Sequence, residues 1–453
     1  MTVEAEADLV IIGGGAAGFA AAVAATEGGA QVILLEKLAQ PGGSSALSGG
    51  CLAFAGTPLQ ASHGVEDGPD LLFRDLRDVG KDENDEALVR TYADHQLDTY
   101  HWLVERGVVF SPALETASGQ SVPRVHTLDP ADLVRQLHAR AEATGRLRYF
   151  PETAAQSLIR ETYGIVRGVI AADDRRFTGR RVLMASGGFA KDPDQIHAFA
   201  PQYREAVFVA GAGSTGDGMR MARKLGADLR DMAYIKGTYG KHPTDETNDH
   251  SLQAVYKGAI AVNQDGRRYV DESLSYKLLG DACMAQSWHT TYQILDQDIF
   301  DTGDDRVRIL DFGRRLEEGL FVVADTLAEL AVQLEIPAER LEETVSRYNC
   351  FVDAGEDLDF GRRHLVHQFG EMRRIERAPF YAYPSTAVVF GTYCGLRVDT
   401  EGRVIDVDGD VIAGLYAAGE VIGGFHGAAY MTGSALGKAV VFGRLIGEAA
   451  AKT

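Results

Sequence analysis

Three glycines and a glutamate near the N-terminus have the types and spacing needed to bind a dinucleotide. Gly13, Gly15 and Gly18 form the pattern G-x-G-x-x-G, and Glu36 ends the next apolar run. The first glycine permits a tight turn, the second lets a pyrophosphate approach the backbone, and the third lets a helix pack closely on a sheet. A carboxylate at Glu36 can bind the ribose hydroxyls of an adenosine. The alternative is a glycine-rich turn in an ordinary α/β domain.

The elements around these residues follow the order that a dinucleotide site requires. Residues 9–12 predict a buried parallel strand, residues 16–26 an alanine-rich helix, and residues 31–35 a second strand. The helix N-terminus would direct unpaired N–H groups and its positive dipole end at the phosphates. The predicted cofactor contacts from this stretch are Gly13, Gly15, Ala16, Ala17, Gly18 and Glu36.

A second loop, PGGSSALSGG at residues 41–50, is dense in glycine and serine. Such a loop can lay backbone N–H groups and hydroxyls along a cofactor, although a plain flexible loop is the alternative. The predicted contacts in and just before this loop are Lys37, Gly43, Ser44, Ser45, Gly49 and Gly50.

Composition limits the class of protein. The chain has 453 residues, enough for two domains, and a formal net charge of −20, which argues against nucleic acid and anionic membranes as partners. Four cysteines without a C-x-x-C pair, and an acidic N-terminus unlike a signal peptide, predict a reduced, cytoplasmic protein. The sequence has no uninterrupted apolar run of about 18 residues, so we predict no membrane span. His364 and His367 form H-x-x-H without an evident third ligand, so we predict no metal.

Local patterns divide the chain into three segments. Residues 236–385 have fewer glycines and more polar residues, which predicts an inserted domain between residues 1–235 and 386–453. In the first segment the patterns predict helices within 70–107, over 130–145 with Asp129 as N-cap, and after a glycine loop at 213. They predict two helices in the insertion, at 324–333 and 337–353, and one at the C-terminus. They also predict a strand at 182–185, a strand pair turning at Asp265-Gly266, and a solvated acidic loop at 295–305.

An ordered set of motifs carries a specific resemblance over nearly the whole chain. After the glycine motif come GGSSALSGG, MASGG, STGDG, HPT at 242–244, GRRYVDE at 266–272 and GLYAAGE at 414–420. The sequence resembles the FAD-dependent fumarate reductase/succinate dehydrogenase flavoprotein superfamily, which includes soluble fumarate reductases and 3-ketosteroid dehydrogenases. The resemblance implies an α/β fold with a two-part Rossmann-like FAD-binding domain and an inserted α+β capping domain. It places the substrate between the domains, over the flavin.

The resemblance also implies further contacts to FAD. Ala185, Gly187, Gly188, Asp217 and Glu420 would support the two ends of the cofactor, His426 would pack at the flavin edge, and Ser434, Ala435 and Leu436 would face the isoalloxazine carbonyls. Members with covalent flavin have a histidine where this chain has Gly43, and no histidine lies between Lys37 and Ser62. We therefore expect non-covalent FAD.

Two departures from the fumarate reductase pattern bear on the reaction. Tyr276 and Tyr430 stand where fumarate reductases have a proton-donating arginine and a carboxylate-binding arginine. Their loss removes an acid and a bidentate fork, which disfavours fumarate as substrate. Tyrosine at both places is similar to the 3-ketosteroid Δ1-dehydrogenases, which share E-S-x-x-Y at 272–276 and G-T-x-x-G-L at 391–396. A third tyrosine of that group has no clear counterpart, and Tyr92 and Tyr100 are the candidates.

The resemblance implies a desaturation next to a ketone. Tyr430 and the backbone N–H of Ser434 would polarise the ketone oxygen, Tyr276 would take the α-proton, and the flavin would accept the β-hydrogen as hydride. A free tyrosine has a pKa of about 10, so the surroundings of Tyr276 must favour its phenolate. The alternative is that both tyrosines are packing aromatics with one satisfied hydroxyl.

The expected substrate is a small cyclic ketone. His242 and Gly391 occupy positions of a carboxylate site in fumarate reductases, so a retained His242 would favour an oxocyclohexanecarboxylate such as 4-oxocyclohexanecarboxylate. A structural histidine at a domain hinge is the alternative, and a 3-ketosteroid is the second substrate. The sequence does not distinguish between oxygen, a quinone and a carrier protein as the electron acceptor. A flavin enoate reductase and a non-catalytic flavoprotein subunit are the other functions that remain.

Overall fold

The computed structural model describes residues 3–203, 206–235, 237–245 and 250–452. Residue 236, the first residue of the expected insertion, lies outside this description. Within it, two hydrophobic cores are present, each organised on its own sheet.

The first sheet has eight strands and contains the N-terminal strand near its centre. Val3–Ile12 pairs in parallel with Val32–Leu35 on one side and with Arg176–Met184 on the other. Both faces of these strands are covered, which is why their central residues are apolar and β-branched. The sheet order is Arg403–Ile405, Val411–Ala417, Arg176–Met184, Val3–Ile12, Val32–Leu35 and Leu147–Phe150, with Val166–Ala171 beside Arg176–Met184 and Ala155–Arg160 beyond it.

The first and last long helices pack directly against each other beside this sheet. Ala16–Glu27 is almost wholly buried because its alanines allow the close approach of Ser434–Ala451. A β-carbon added to Gly443 would lie 2.4 Å from the backbone oxygen of Ala17. Small residues on both helices therefore set their separation.

The second sheet has six strands and belongs to the second core. Its longest strand, Phe380–Val389, pairs antiparallel with Thr291–Asp296, which in turn pairs with Ile260–Val262. Thr238–Lys241, Val322–Ala324 and Val207–Phe208 also pair with the long strand. That strand runs past residue 385, so the expected boundary falls inside an element, and the division into domains at 236 and 385 stays a prediction.

The other elements connect and cover these sheets. Smaller sheets pair Cys51–Ala53 and Leu114–Glu115 with Val125–Thr127, Leu229–Arg230 with Gly395–Leu396, and His364–Val366 with Phe369–Glu371. The remaining α-helices are Gly43–Ala46, Pro58–Ser62, Pro69–Val79, Glu86–Glu105, Pro130–Ala143, Pro193–Phe199, Asp217–Arg223, Tyr276–Met284, Gln297–Phe300, Phe312–Glu317, Leu327–Gln333 and Ala338–Ala354. Short 3-10 helices are Pro201–Tyr203, Ala254–Lys257, Ser287–His289, Arg308–Leu310 and Gly419–Val421.

Most predicted elements are present, with two differences. Asp129 caps its helix as expected, because its carboxylate accepts from the N–H groups of Ala131 and Asp132. The expected strand pair at Asp265-Gly266 is reduced to Ile260–Val262 and one isolated bridge from Val262 to Arg268. The expected acidic loop at 295–305 instead contains the end of the strand Thr291–Asp296 and the helix Gln297–Phe300. The two helical stretches expected within 70–107 are present as Pro69–Val79 and Glu86–Glu105. No helix among the described residues is long and apolar enough to cross a membrane.

Candidate active site

The glycine motif forms the turn after the first strand, and each outer glycine is required by a close contact. Gly13 has φ of +113°, and a β-carbon there would lie 2.3 Å from the oxygen of Ala185. A β-carbon on Gly18 would lie 2.1 Å from the oxygen of Gly13. The turn therefore tolerates only glycine at both positions, and it leaves the backbone open to a ligand at Gly15 and the helix N-terminus.

Glu36 lies at the end of the second strand and is held by the backbone. One carboxylate oxygen accepts from the N–H of Gly14 at 2.8 Å, and the other accepts from the N–H of Leu38 at 2.8 Å. Each oxygen keeps a second lone pair, so ribose hydroxyls can still donate to it. The backbone bonds fix the carboxylate at the rim of the cleft.

Ser44 and Ser45 lie in the short helix Gly43–Ala46, which closes one side of the cleft. The Ser45 hydroxyl accepts from the N–H of Ala16 at 3.1 Å, and the Ser44 hydroxyl lies 2.9 Å from that of Ser214. The first bond joins the serine loop to the start of the first helix, and the second joins it to the loop that contains Ser214.

Lys37 and Asp217 meet across the cleft. The Lys37 ammonium donates to Asp217 at 2.5 Å and to the Thr215 hydroxyl at 2.6 Å. Burial alone would raise the pKa of Asp217, but the bonds from Lys37 and Thr215 outweigh it and hold that pKa below its usual value. Both residues line the cleft while paired with each other.

The structure brings most of the predicted cofactor residues to one cleft. Gly18, Gly50 and Gly188 do not line it: Gly18 packs under the turn, and a β-carbon on Gly50 would lie 2.0 Å from the oxygen of Leu128. The predicted residues that line it are Gly13, Gly15, Ala16, Ala17, Glu36, Lys37, Gly43, Ser44, Ser45, Ala185, Gly187, Asp217 and Glu420.

A second cavity continues from this cleft. Ser44, Ser45, Glu420 and Ala439 line both spaces, so the two are one continuous site. Predicted residues that line only the second cavity are Gly49, Tyr276, Gly391, Tyr430, Ala435 and Leu436. Residues outside the predicted set that line it include Cys51, Thr238, Ser251, Gln253, Arg308, Tyr393 and Thr432.

Glu420 lies where the two spaces join. It is partly buried, and its carboxylate accepts from the N–H of Thr392 at 2.9 Å. A β-carbon on Gly188 would lie 2.4 Å from that carboxylate, so glycine at 188 makes room for it. Burial raises the pKa of Glu420, and the hydrogen bond from Thr392 partly opposes that rise.

Tyr276 and Tyr430 come together although they are far apart in sequence. Tyr276 begins the helix Tyr276–Met284, whose N-cap Ser275 donates to the carbonyl of Tyr430 at 2.9 Å. The two phenol rings lie 5.7 Å apart between centroids. Burial raises the pKa of both phenols, to about 12 for Tyr430 and well above its ordinary value for Tyr276.

Ser434 differs from its expected role. Its backbone N–H donates to the carbonyl of Met431 at 3.1 Å, and its hydroxyl donates to the same oxygen at 2.7 Å. Ser434 does not line the cavity, because these bonds close the turn that starts the C-terminal helix. The Gly433 N–H points to the Tyr430 hydroxyl instead, at 3.3 Å.

His242 and His426 lie beside the cavity rather than on its wall. The His242 ring packs edge-on against Tyr383, and its Nδ1 lies 2.9 Å from the Thr244 hydroxyl. Burial lowers the pKa of His242 and holds that of His426 well below its ordinary value. Gly391, predicted together with His242, does line the cavity.

Tyr393 is the main residue that the sequence analysis missed. Its ring lies 4.9 Å from that of Tyr430, and its φ of +54° is left-handed, which is uncommon for a bulky side chain. Neither earlier candidate lines the cavity: Tyr92 donates to the carbonyl of Ala53, and Tyr100 stacks on Phe110. The G-T-x-x-G-L run contains Tyr393, but sequence alone does not show its backbone conformation.

Comparison with known proteins identifies the family. Residues 8–436 match the family described as the FAD binding domain. The chain belongs to this family. A fumarate reductase (cytochrome) from Shewanella frigidimarina is 32% identical to it, over 91% of this chain and 71% of the relative. The 4-oxocyclohexanecarboxylate 2-dehydrogenase of Sinomonas cyclohexanicum is 28% identical, over 92% of this chain and 88% of the relative.

A solved structure agrees with this membership. The 3-ketosteroid-Δ4-(5α)-dehydrogenase of Rhodococcus jostii RHA1, in complex with 4-androstene-3,17-dione, superposes with a TM-score of 0.80 at 26% identity. The match covers 100% of this chain and 98% of that one. The predicted superfamily and α/β fold class are thus confirmed, and the protein is an FAD-dependent oxidoreductase.

The residues of the cleft fit FAD. Among the described residues the buried Ser186 hydroxyl, which lines the cleft, has no hydrogen-bond partner, as expected where a ligand supplies one. Gly13–Gly15 and the N-terminus of Ala16–Glu27 would hold the pyrophosphate, and Glu36 the adenosine ribose. Among the described residues, no group of three or more His, Cys, Asp or Glu side chains is arranged to bind a metal ion.

Proposed function

We propose that the protein is an FAD-dependent dehydrogenase that introduces a C=C bond next to the ketone of a small ring. Tyr276, Tyr430 and Tyr393 line one cavity that opens into the nucleotide cleft, and this cluster is the observation that carries the proposal. Such a desaturation needs a polarised ketone oxygen, a base for the α-proton and an acceptor for the β-hydrogen. Bound FAD supplies the hydride acceptor.

Tyr430 is suited to polarise the ketone oxygen. Burial raises the pKa of its phenol to about 12, so the hydroxyl keeps its proton near neutral pH and can donate it in a hydrogen bond. The Gly433 N–H approaches the phenol oxygen and orients it. In a buried site such a fixed donor stabilises an enolate more than water would. Because the Ser434 N–H is engaged with Met431, its role as a second donor requires a change in that turn.

Tyr276 is the proposed base. It lines the same cavity, on the helix that faces the Tyr430 segment. Its phenolate oxygen would take the α-proton, forming an O–H bond as the C–H bond breaks. Burial raises the pKa of this phenol, so a nearby positive charge is needed to make the phenolate accessible.

The proposed substrate is an oxocyclohexanecarboxylate, with 4-oxocyclohexanecarboxylate first and a 3-ketosteroid second. Arg308 is the one cation among the described residues that line the cavity, and the Ser251 hydroxyl, on a residue that also lines it, has no hydrogen-bond partner in the described chain. An arginine and a hydroxyl suit a carboxylate. The named activity of the Sinomonas relative supports the acid, and the bound steroid of the Rhodococcus structure supports the alternative.

A flavin enoate reductase is the second candidate. The fumarate reductase relative, at 32% identity, favours it. The tyrosines at both arginine positions count against fumarate itself, since they remove the bidentate carboxylate fork. Other enoates remain compatible with the cavity.

Anaerobic mixing of the FAD-loaded protein with substrates tests the proposal. Bleaching of the yellow flavin by 4-oxocyclohexanecarboxylate, faster than by cyclohexanone or a 3-ketosteroid, is the expected result. Reoxidation of the reduced protein by an enoate, with no bleaching by any ketone, would establish the reductase instead. The same assay with oxygen, a quinone and a carrier protein then identifies the electron acceptor. Non-covalent attachment of FAD and a cytoplasmic location belong to this proposal as well.

A further inference from the structure

A buried lysine lies against all three tyrosines of the candidate active site. Lys277 follows Tyr276 in the helix Tyr276–Met284 and is 1% exposed. Its Nζ lies 4.2 Å from the ring centroid of Tyr393, 5.7 Å from that of Tyr430 and 5.8 Å from that of Tyr276. All three distances are within the range of cation–π attraction.

The position of this ammonium group is fixed. Its Nζ donates to the Thr238 hydroxyl at 2.6 Å, and Thr238 lies on the strand Thr238–Lys241 and lines the cavity. The left-handed backbone at Tyr393 turns that ring between Lys277 and Tyr430. A bulky residue holds such a conformation only where its surroundings enforce it.

We propose that Lys277 is a positioning residue of the active site: its ammonium group holds the Tyr393 ring and stabilises the ionised form of the tyrosine that takes the proton. This role rests on the proposed ketone desaturation, in which the phenolate base needs a nearby positive charge. The Lys277 ammonium group supplies that charge. Lys277 keeps its protons throughout, and the proton lost by the α-carbon ends on the phenolate oxygen.

The physical reason is that a phenolate spreads part of its negative charge over the ring. A cation about 5 Å away, at the effective dielectric constant of about 20 usual for proteins, lowers a phenol pKa by about two units. The effect falls with distance, so it is largest at Tyr393 and smaller at the Tyr276 ring, whose centroid lies 5.8 Å from the Lys277 Nζ.

The other ionisable groups around the cluster act against ionisation or contribute little. Tyr393 faces Glu420, Tyr430 faces Cys51, and Tyr276 faces Tyr256; each of these neighbours raises the phenol pKa concerned. His426 packs against Tyr393, but burial, Lys438 and Lys277 keep its pKa low, so it is neutral. Arg308 lines the same cavity and acts to lower the pKa of the Cys51 thiol.

Variants at position 277 test this role. Lys277→Met keeps the length of the side chain and removes the charge, whereas Lys277→Arg keeps the charge. Lys257→Met is the matched control, since Lys257 pairs with Glu115 away from the cavity. The measurement is the pH profile of flavin reduction by the ketone. We expect Lys277→Met to move the ascending limb up by about two pH units, and Lys277→Arg and Lys257→Met to leave it within about half a unit.

A second measurement does not depend on turnover. Ultraviolet difference titration of the FAD-loaded protein detects tyrosine ionisation directly. We expect a phenol that ionises early in the wild type, later in Lys277→Met, and not at all in Tyr276→Phe. If no ketone bleaches the flavin but this difference is present, the proposed reaction fails and the role of Lys277 stands.

Identical titrations of wild type and Lys277→Met, with bound FAD retained, would overturn the inference. If Lys277→Met fails to fold, Thr238→Val removes only the anchor of the ammonium group and should shift the same ionisation upward by a smaller amount. An unshifted titration in that variant would equally contradict the role.

Discussion

A buried tyrosine hydroxyl can act as acid or as base, and its neighbours decide which. Tyr430 accepts an N–H bond from the turn before the C-terminal helix, and burial keeps its phenol protonated. Tyr276 lies beside it, with the ring centroids 5.7 Å apart, and is next in sequence to a buried ammonium group. The two phenols thus have different surroundings, which is how one site can hold a donor and a base at the same pH.

Tyr430→Phe tests the donor. The variant keeps the ring and its packing but loses the hydroxyl that would stabilise the enolate. We expect the rate of flavin reduction by the ketone to fall about a hundred- to a thousand-fold, with little change in substrate affinity. Tyr381→Phe is the control, because Tyr381 bonds to Gln297 in the second core. Equal rates in the two variants would contradict the role.

Tyr276→Phe tests the base. We expect flavin reduction to slow about 10²- to 10⁴-fold and exchange of the substrate α-hydrogens with deuterated water to stop. Because the base must be ionised, wild-type activity should rise with pH until the phenolate is fully formed, and this rise should be absent in the variant. Undiminished exchange would assign the base to another group.

At the scale of elements, two helices distant in sequence build the floor of the nucleotide site. Ala16–Glu27 presents its N-terminus to the cleft, and Ser434–Ala451 packs along it through Gly443 and Gly447. A β-carbon at Gly447 would lie 2.3 Å from the oxygen of Ala21. The spacing of the two helices therefore determines the width of the cofactor site.

Gly443→Ala tests this spacing. The added methyl meets backbone rather than a flexible side chain, so the helices must separate. We expect a loss of about 1–3 kcal/mol in unfolding free energy and weaker FAD binding, measured by chemical denaturation and flavin titration. Gly313→Ala is the matched control: Gly313 is exposed in the helix Phe312–Glu317, and a methyl there meets nothing within 4 Å. The Gly313→Ala change should raise the free energy of unfolding by about 0.5–1 kcal/mol, because alanine has the higher helix propensity.

The sequence predicted the local parts of the site well and the long-range parts poorly. Gly13 and Glu36, which line the cleft, were predictable because strand, turn and helix follow each other directly in the chain. Gly18 was predicted as a cofactor contact, but it packs under the turn instead. Tyr393 and Arg308 were not, because each reaches the cavity through a loop whose path depends on the whole fold. Ser434 was placed at the right turn, yet the bond that its N–H makes depends on how that turn closes.

At the scale of the whole molecule, the second cavity is built from both cores. Tyr430 comes from the segment before the C-terminal helix, whereas Arg308 begins a short 3-10 helix that follows the strand Thr291–Asp296. Of the residues that line it, Leu436 and Ala439 belong to the first core, and Tyr276 and Tyr430 belong to the second. Under the proposed function, Tyr430 would bind the ketone end and Arg308 the acid end, so substrate selection would depend on segments far apart in the chain.

Arg308→Gln tests the acid end. If the Arg308 guanidinium binds the substrate carboxylate, the variant should lose about 10- to 100-fold in the rate of flavin reduction per unit concentration of 4-oxocyclohexanecarboxylate, mainly through weaker binding. Cyclohexanone has no carboxylate, so its rate should change less than about three-fold. Arg306→Gln, on the same loop but paired with Asp304 in solvent, is the control. Equal losses with both ketones would mean that Arg308 supports the cavity wall and that the carboxylate, if there is one, is bound elsewhere. A loss confined to the acid would establish the carboxylate as part of what this cavity selects.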